Sequence, residues 1–166
     1  MLGCSHKYHK HCLLQLIGNK KWVKCAICMT IFGSMTGDQS DGTMTHYVEK
    51  NTKCQGYNAG TIIIDYNMKS GHRNGKHFSG THRTAYLPDN KEGWEVFYLL
   101  KEAFDRKLIF TVGRSVTTGQ DNVVVWNGIH HKTNTSGGAS HFGYPDPTYF
   151  NRVKEELAVK GVVPKK

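Results

Sequence analysis

A chain of 166 residues has room for one domain of moderate size and a small appendage. Hydrophobic residues at 38% and aromatics at 11% supply a packed core, and no apolar run approaches the ~18 residues of a membrane span, so the expectation is a soluble intracellular protein, cytoplasmic and/or nuclear. Lysine and arginine total 22 against 13 acidic residues, a formal charge of +9 that suits an anionic partner; the basic residues are dispersed, with short clusters at Lys20-Lys21 and Lys165-Lys166, and a solvated basic surface explains them equally well.

The chain opens on potential metal ligands: Cys4, His6, His9, Cys12, Cys25 and Cys28, soft thiolates and imidazoles at spacings short enough for adjacent turns to converge on zinc. Buried thiols beside surface histidines are the plainer alternative. A disulfide framework fits less well, because five cysteines leave one over and no apolar signal segment precedes them; Cys54 reads as a free thiol. The arrangement resembles the distal part of a RING finger, the cross-braced two-zinc domain of ubiquitin ligases. That resemblance implies one complete site of Cys4, His6, Cys25 and Cys28. It assigns His9 and Cys12 to a second, incomplete site whose first Cys-x-x-Cys is expected upstream of Met1.

After Cys12, Leu13 to Ile17 predicts a short helix ended by Gly18-Asn19, and the zinc module closes near Phe32. From Gly33 to Gly42 the chain is rich in Gly, Ser, Thr and Asp, a junction with few groups able to bury themselves. Strands are predicted at Met44 to Glu49 and at Thr61 to Tyr66, followed by a long irregular excursion from Lys69 to Thr84. Pro88-Asp89-Asn90 offers a cap for a helix to about Lys107, with Trp94, Phe97, Leu100, Ala103 and Phe104 at helical spacing as its core stripe. Leu108 to Val112 and Val123 to Trp126 are apolar strand candidates joined by a polar turn. A last helix is capped by Asp146, begins at Pro147, buries Tyr149, Val153 and Leu157, and ends at Gly161.

Helical spacing turns Glu156 inward, between Tyr149 and Val153. A carboxylate there is either a structural acceptor or a chemical group. His130 and His131, adjacent on an extended segment, project to opposite faces, so at most one is catalytic. An imidazole with a carboxylate partner can remove a hydroxyl proton, and Glu156 is the partner the last helix offers to His130. Ser115 to Gly119 supplies hydroxyls and amides for a phosphate, or is simply a polar hairpin turn, since no Walker or dinucleotide pattern accompanies it.

Ordered motifs across nearly the whole chain, among them Gly33-Ser34-Met35-Thr36-Gly37-Asp38-Gln39, Tyr86-Leu87-Pro88-Asp89-Asn90, Thr117-Thr118-Gly119, Ile129-His130-His131-Lys132-Thr133 and Gly143-Tyr144-Pro145-Asp146, resemble the RING and carboxy-terminal module of deltex ubiquitin ligases, with Phe142 and Tyr149 through Gly161 resembling the deltex-3 branch. The resemblance implies an α+β protein: a zinc RING remnant over 1–32, a junction over 33–43 and a deltex carboxy-terminal domain over 44–163. It implies Zn2+, a pocket for ADP-ribose or NAD, and a ubiquitin-loaded conjugating enzyme as partner. ADP-ribosylated proteins or nucleic acids, and an ADP-ribosyltransferase, complete the implied partners. By motif, His130 and Glu156 promote attack by a ribose hydroxyl on the thioester, while Ser115, Thr117, Thr118, Gly119, Trp126, His130, His131 and Phe142 line the pocket, with Gly80 to Arg83 closing over it. Ala26 and Ser40 stand where prolines are common in these families, and Phe142 where several members place a histidine. Two other functions compete: a non-catalytic ADP-ribose reader and a basic nucleic-acid-binding protein.

Overall fold

The computed structural model describes residues 6–18, 20 and 22–164. Asn19, Lys21, Lys165 and Lys166, which enter the sequence expectations, lie outside them, as does Cys4. A short helix α1 (Lys10–Ile17) and a two-stranded hairpin of β1 (Trp22–Lys24) and β2 (Ile31–Gly33) form the first module. The helix starts a turn earlier than Leu13. It buries no residue fully, although Leu13 and Ile17 lean on a miniature core of Val23 and Cys25.

The main core is built around an antiparallel sheet in the order β3-β4-β7, formed by Gly42–Glu49, Thr61–Met68 and Thr81–Pro88. β4 takes the centre because Ile62-Ile63-Ile64 is stiff, β-branched and buried throughout. Helix α2 (Lys91–Asp105) lies across the face that His46, Ile64 and Tyr66 share: His46 packs on Trp94 and Phe97, and Tyr66 on Phe104. Asn90 caps it, its side chain accepting from the Gly93 amide at 2.8 Å. In the predicted stripe, Phe97, Leu100 and Ala103 are buried and Trp94 and Phe104 half-buried. Truncating Ile62 or Ile64 to alanine would cost about 2–5 kcal/mol.

Three expectations need correction. Lys69 to Thr84 is mostly regular structure: a hairpin of β5 (Gly71–Arg73) and β6 (Lys76–Phe78) followed by the first half of β7. Its signal is Asn74-Gly75, whose φ values of 53° and 77° suit the two central residues of a tight hairpin turn. Secondly, the junction is not free of buried groups. Gln39 is 6% exposed, its Oε1 accepting from the amides of Ile109 at 3.1 Å and Phe110 at 3.2 Å, its Nε2 donating to the Phe104 carbonyl at 3.4 Å. Gly37 approaches so near the Lys107 carbonyl that no side chain fits.

Thirdly, the last helix, α3, spans Tyr149–Val159 and starts beyond Pro147. Asp146 does serve its entry, Oδ1 accepting from the Thr148 amide at 3.3 Å and hydroxyl at 3.1 Å, but its Oδ2 is taken by Lys132 at 2.7 Å and Arg152 at 2.5 Å. Lys132 is 4% exposed, and a desolvated ammonium claims the nearest carboxylate. Tyr149, Val153 and Leu157 are buried as the spacing requires. A third hairpin, of β8 (Phe110–Gly113) and β9 (Val123–Trp126), is bridged at Val123 to Ser79 in the link between β6 and β7. No helix among the described residues is long and apolar enough to cross a membrane.

Candidate functional site

One cavity of about 560 Å³ opens between the β8–β9 hairpin and the segment from Gly128 to Thr133. Its floor is an aromatic stack: Phe110 and Trp126 have ring centroids 4.7 Å apart, and Trp126 and His131 4.2 Å apart, both pairs nearly parallel. Tyr66, fully buried, meets all three rings edge-on and carries the stack into the core. The half-exposed edge of Trp126 in this stack suits an edge-to-face contact with a planar heterocycle.

His131 is fixed as a neutral ring. Its Nδ1–H donates to the Ile129 carbonyl at 2.9 Å, which leaves Nε2 to accept from the Tyr66 hydroxyl at 2.8 Å. Burial, aided by the neighbouring His130, pushes its pKa down to about 4 against the Ile129 hydrogen bond. His130 has the opposite character: its side chain is 62% exposed and borders the cavity. Glu156 holds it twice, Oε1 accepting from the His130 backbone amide at 3.1 Å and Oε2 pairing with Nδ1. With Nδ1 occupied, Nε2 is the nitrogen left to exchange a proton with whatever enters. The Tyr149 hydroxyl donates to the His130 carbonyl at 2.9 Å.

Of the residues the sequence nominated for the pocket, Ser115, Thr117, Trp126, His130, His131 and Phe142 line the cavity. Thr118 and Gly119 lie outside its wall. They close the turn instead: the Gly119 amide donates to the Ser115 carbonyl at 2.8 Å and the Thr118 amide to Ser115 Oγ at 3.2 Å. A turn that spends its amides on itself is a poor phosphate cradle, and positive charge at the cavity comes from Arg83 and Arg114. Arg114, at the start of that turn, was legible only as one arginine among many. Phe142, at φ 56° after the 3-10 turn Ala139–His141, is 61% exposed and offers a ring at the cavity mouth.

Away from this cavity, His6, Cys25 and Cys28 bring one ligand atom each within 4.8 Å of one another, the one such group of three or more among the described residues. Burial pushes the Cys25 thiol up, but the Cys28 amide, the Tyr8 hydroxyl and the Ile27 amide outweigh it and draw its pKa down to about 5. The Cys28 hydrogen bond raises His6. Two thiols and an imidazole converging around a stabilised thiolate are a donor set for zinc, and a fourth donor would complete a tetrahedron. Cys4, the expected fourth, falls outside the described residues. His9 precedes α1 and Cys12 is exposed on it; neither joins a group of three.

Comparison with known proteins matches residues 36–162 to the family model of the Deltex C-terminal domain. The chain is 41% identical over 167 residues to a human protein named probable E3 ubiquitin-protein ligase DTX3, covering 96% of this chain and 48% of that one. It is 42% identical over 171 residues to E3 ubiquitin-protein ligase DTX1 of Xenopus laevis, covering 96% and 27%. With E3 ubiquitin-protein ligase DTX4 of Mus musculus the identity is 40% over 170 residues, covering 96% and 28%. The chain therefore spans half or less of the length of these relatives.

Proposed function

From the premise that the chain belongs to the deltex family, we propose that it is the ligase module of an E3 ubiquitin transferase, binding ADP-ribose or NAD in the cavity and directing ubiquitin to a ribose hydroxyl or to ADP-ribosylated proteins or nucleic acids. A conjugating enzyme carries ubiquitin as a thioester. The adenine ring or the nicotinamide would pack against the aromatic stack at the exposed edge of Trp126, with Arg83 and Arg114 facing the diphosphate. The ribose hydroxyl then attacks the thioester carbonyl. Its proton passes to His130 Nε2, the ester C–O bond forms, the C–S bond breaks, and the thiolate of the conjugating enzyme leaves. Glu156 holds Nδ1 and stabilises the imidazolium.

The observation that carries this reading is the double hold of Glu156 on His130 at the edge of the cavity. The test is to incubate the chain with ubiquitin-loaded conjugating enzyme and ADP-ribose. An ester adduct sensitive to hydroxylamine is expected, formed far more slowly when His130 or Glu156 is changed to alanine. The module over 1–32 would be RING-type, holding zinc through His6, Cys25, Cys28 and Cys4; the metal there would supply structural closure and take no part in transfer.

A second reading rests on the cavity and its aromatic floor alone: a reader that binds ADP-ribose without transferring ubiquitin. Calorimetric binding of ADP-ribose with no discharge of the loaded conjugating enzyme would select it.

A further inference from the structure

His130 lies in an irregular stretch between β9 and the 3-10 turn, where no strand ladder fixes the backbone. Its side chain is too exposed for packing to orient it. The bonds that hold it come from one helix. Besides Glu156, which takes the backbone amide and Nδ1, Tyr149 donates its hydroxyl to the His130 carbonyl at 2.9 Å. Tyr149 and Glu156 are seven residues apart on α3, two turns along a single face. They grip the two ends of the same peptide unit's residue, one at its amide and one at its carbonyl.

Tyr149 is itself held rigidly. It is 1% exposed, with its ring against Tyr144 and Phe150 and the Lys132 ammonium 5.0 Å above its centroid. Burial first, and the Glu156 carboxylate second, push the phenol well above its ordinary range, so it remains a donor at any working pH. It forms no part of the cavity wall.

We propose that Tyr149 is a positioning residue: its hydroxyl, acting with Glu156, sets the orientation of His130 so that Nε2 faces the cavity. This rests on the reading of His130 as the base in ubiquitin transfer and extends it to a side chain that touches no ligand.

The test is Tyr149→Phe, which keeps the ring and its packing. With loaded conjugating enzyme and ADP-ribose, kcat should fall about tenfold while KM and the ADP-ribose Kd stay within about twofold, and the effect should vanish in a His130→Ala background. Long-range 1H–15N spectra give a readout independent of transfer: the His130 imidazole, which the phenol does not touch, should lose its single sharp ring signal. An unchanged kcat, an equal loss in the His130→Ala background, or an unaltered His130 ring signal would each overturn the assignment. If the unsubstituted chain transfers no ubiquitin, the functional reading fails by itself, and the imidazole spectrum alone decides the positioning role.

Discussion

Glu156 Oε1 accepts from the His130 backbone amide at 3.1 Å while Oε2 of the same carboxylate pairs with His130 Nδ1, so one side chain fixes both the main chain and the ring tautomer of its partner. Glu156→Gln retains an oxygen for the amide but gives up the charge opposite the imidazole. Transfer to ADP-ribose should fall about 10–100-fold, read by single-turnover discharge, while calorimetric affinity for ADP-ribose changes by less than about threefold. Parallel loss of affinity would place the residue in ligand binding instead.

His131 makes stability depend on acid. Unfolded, its imidazole takes a proton near pH 6.5; folded, only near pH 4, so between those values acid favours the unfolded chain. Its contribution is complete above pH 6.5 and lost as pH falls through the window, an order-of-magnitude cost of about 3 kcal/mol at the acid end. Urea titrations between pH 7 and pH 4 should show this slope. His131→Asn should flatten it, whatever its stability at neutral pH.

Gln39→Ala should destabilise the chain by about 2–4 kcal/mol, because it leaves the Ile109 and Phe110 amides buried without an acceptor and opens a small void. Phe110 belongs to the cavity floor, so ADP-ribose affinity should weaken as well. A shift of less than about 0.5 kcal/mol in urea would show that water reaches those amides.

Metal analysis of the purified chain should find about one tightly bound zinc, lost in Cys25→Ala. Chelation should unfold the module through Phe32 and leave ADP-ribose binding intact. A second tight equivalent would mean that His9 and Cys12 find partners.

How far the chain could be read in advance depended on how local each signal was. α2, α3 and β4 announced themselves by period, cap and β-branched runs, which neighbouring residues enforce. Glu156 was placed on the inner face by helix geometry alone, but its destination was not: the carboxylate reaches 26 positions back to His130, a contact that only the packing of α3 supplies. Lys132 read as one more cation of a basic chain, and its burial against Asp146 depends on a fold that removes water from both. Gln39 was hidden for the same reason, since its partners lie 70 and 71 residues on. The β5–β6 hairpin, by contrast, had a local signal in Asn74-Gly75, which the expectation of an irregular excursion passed over.

The stack of Phe110, Trp126 and His131 gives the protein an optical gauge of its own occupancy. Trp126 is half-buried in the cavity floor, while Trp94 is spent on α2 packing and a 2.7 Å hydrogen bond to Asp89, and Trp22 sits in the first module beside Lys20. An aromatic guest packed against the edge of Trp126 would alter the emission of one of three tryptophans and leave two as an internal reference, so occupancy can be followed without a label.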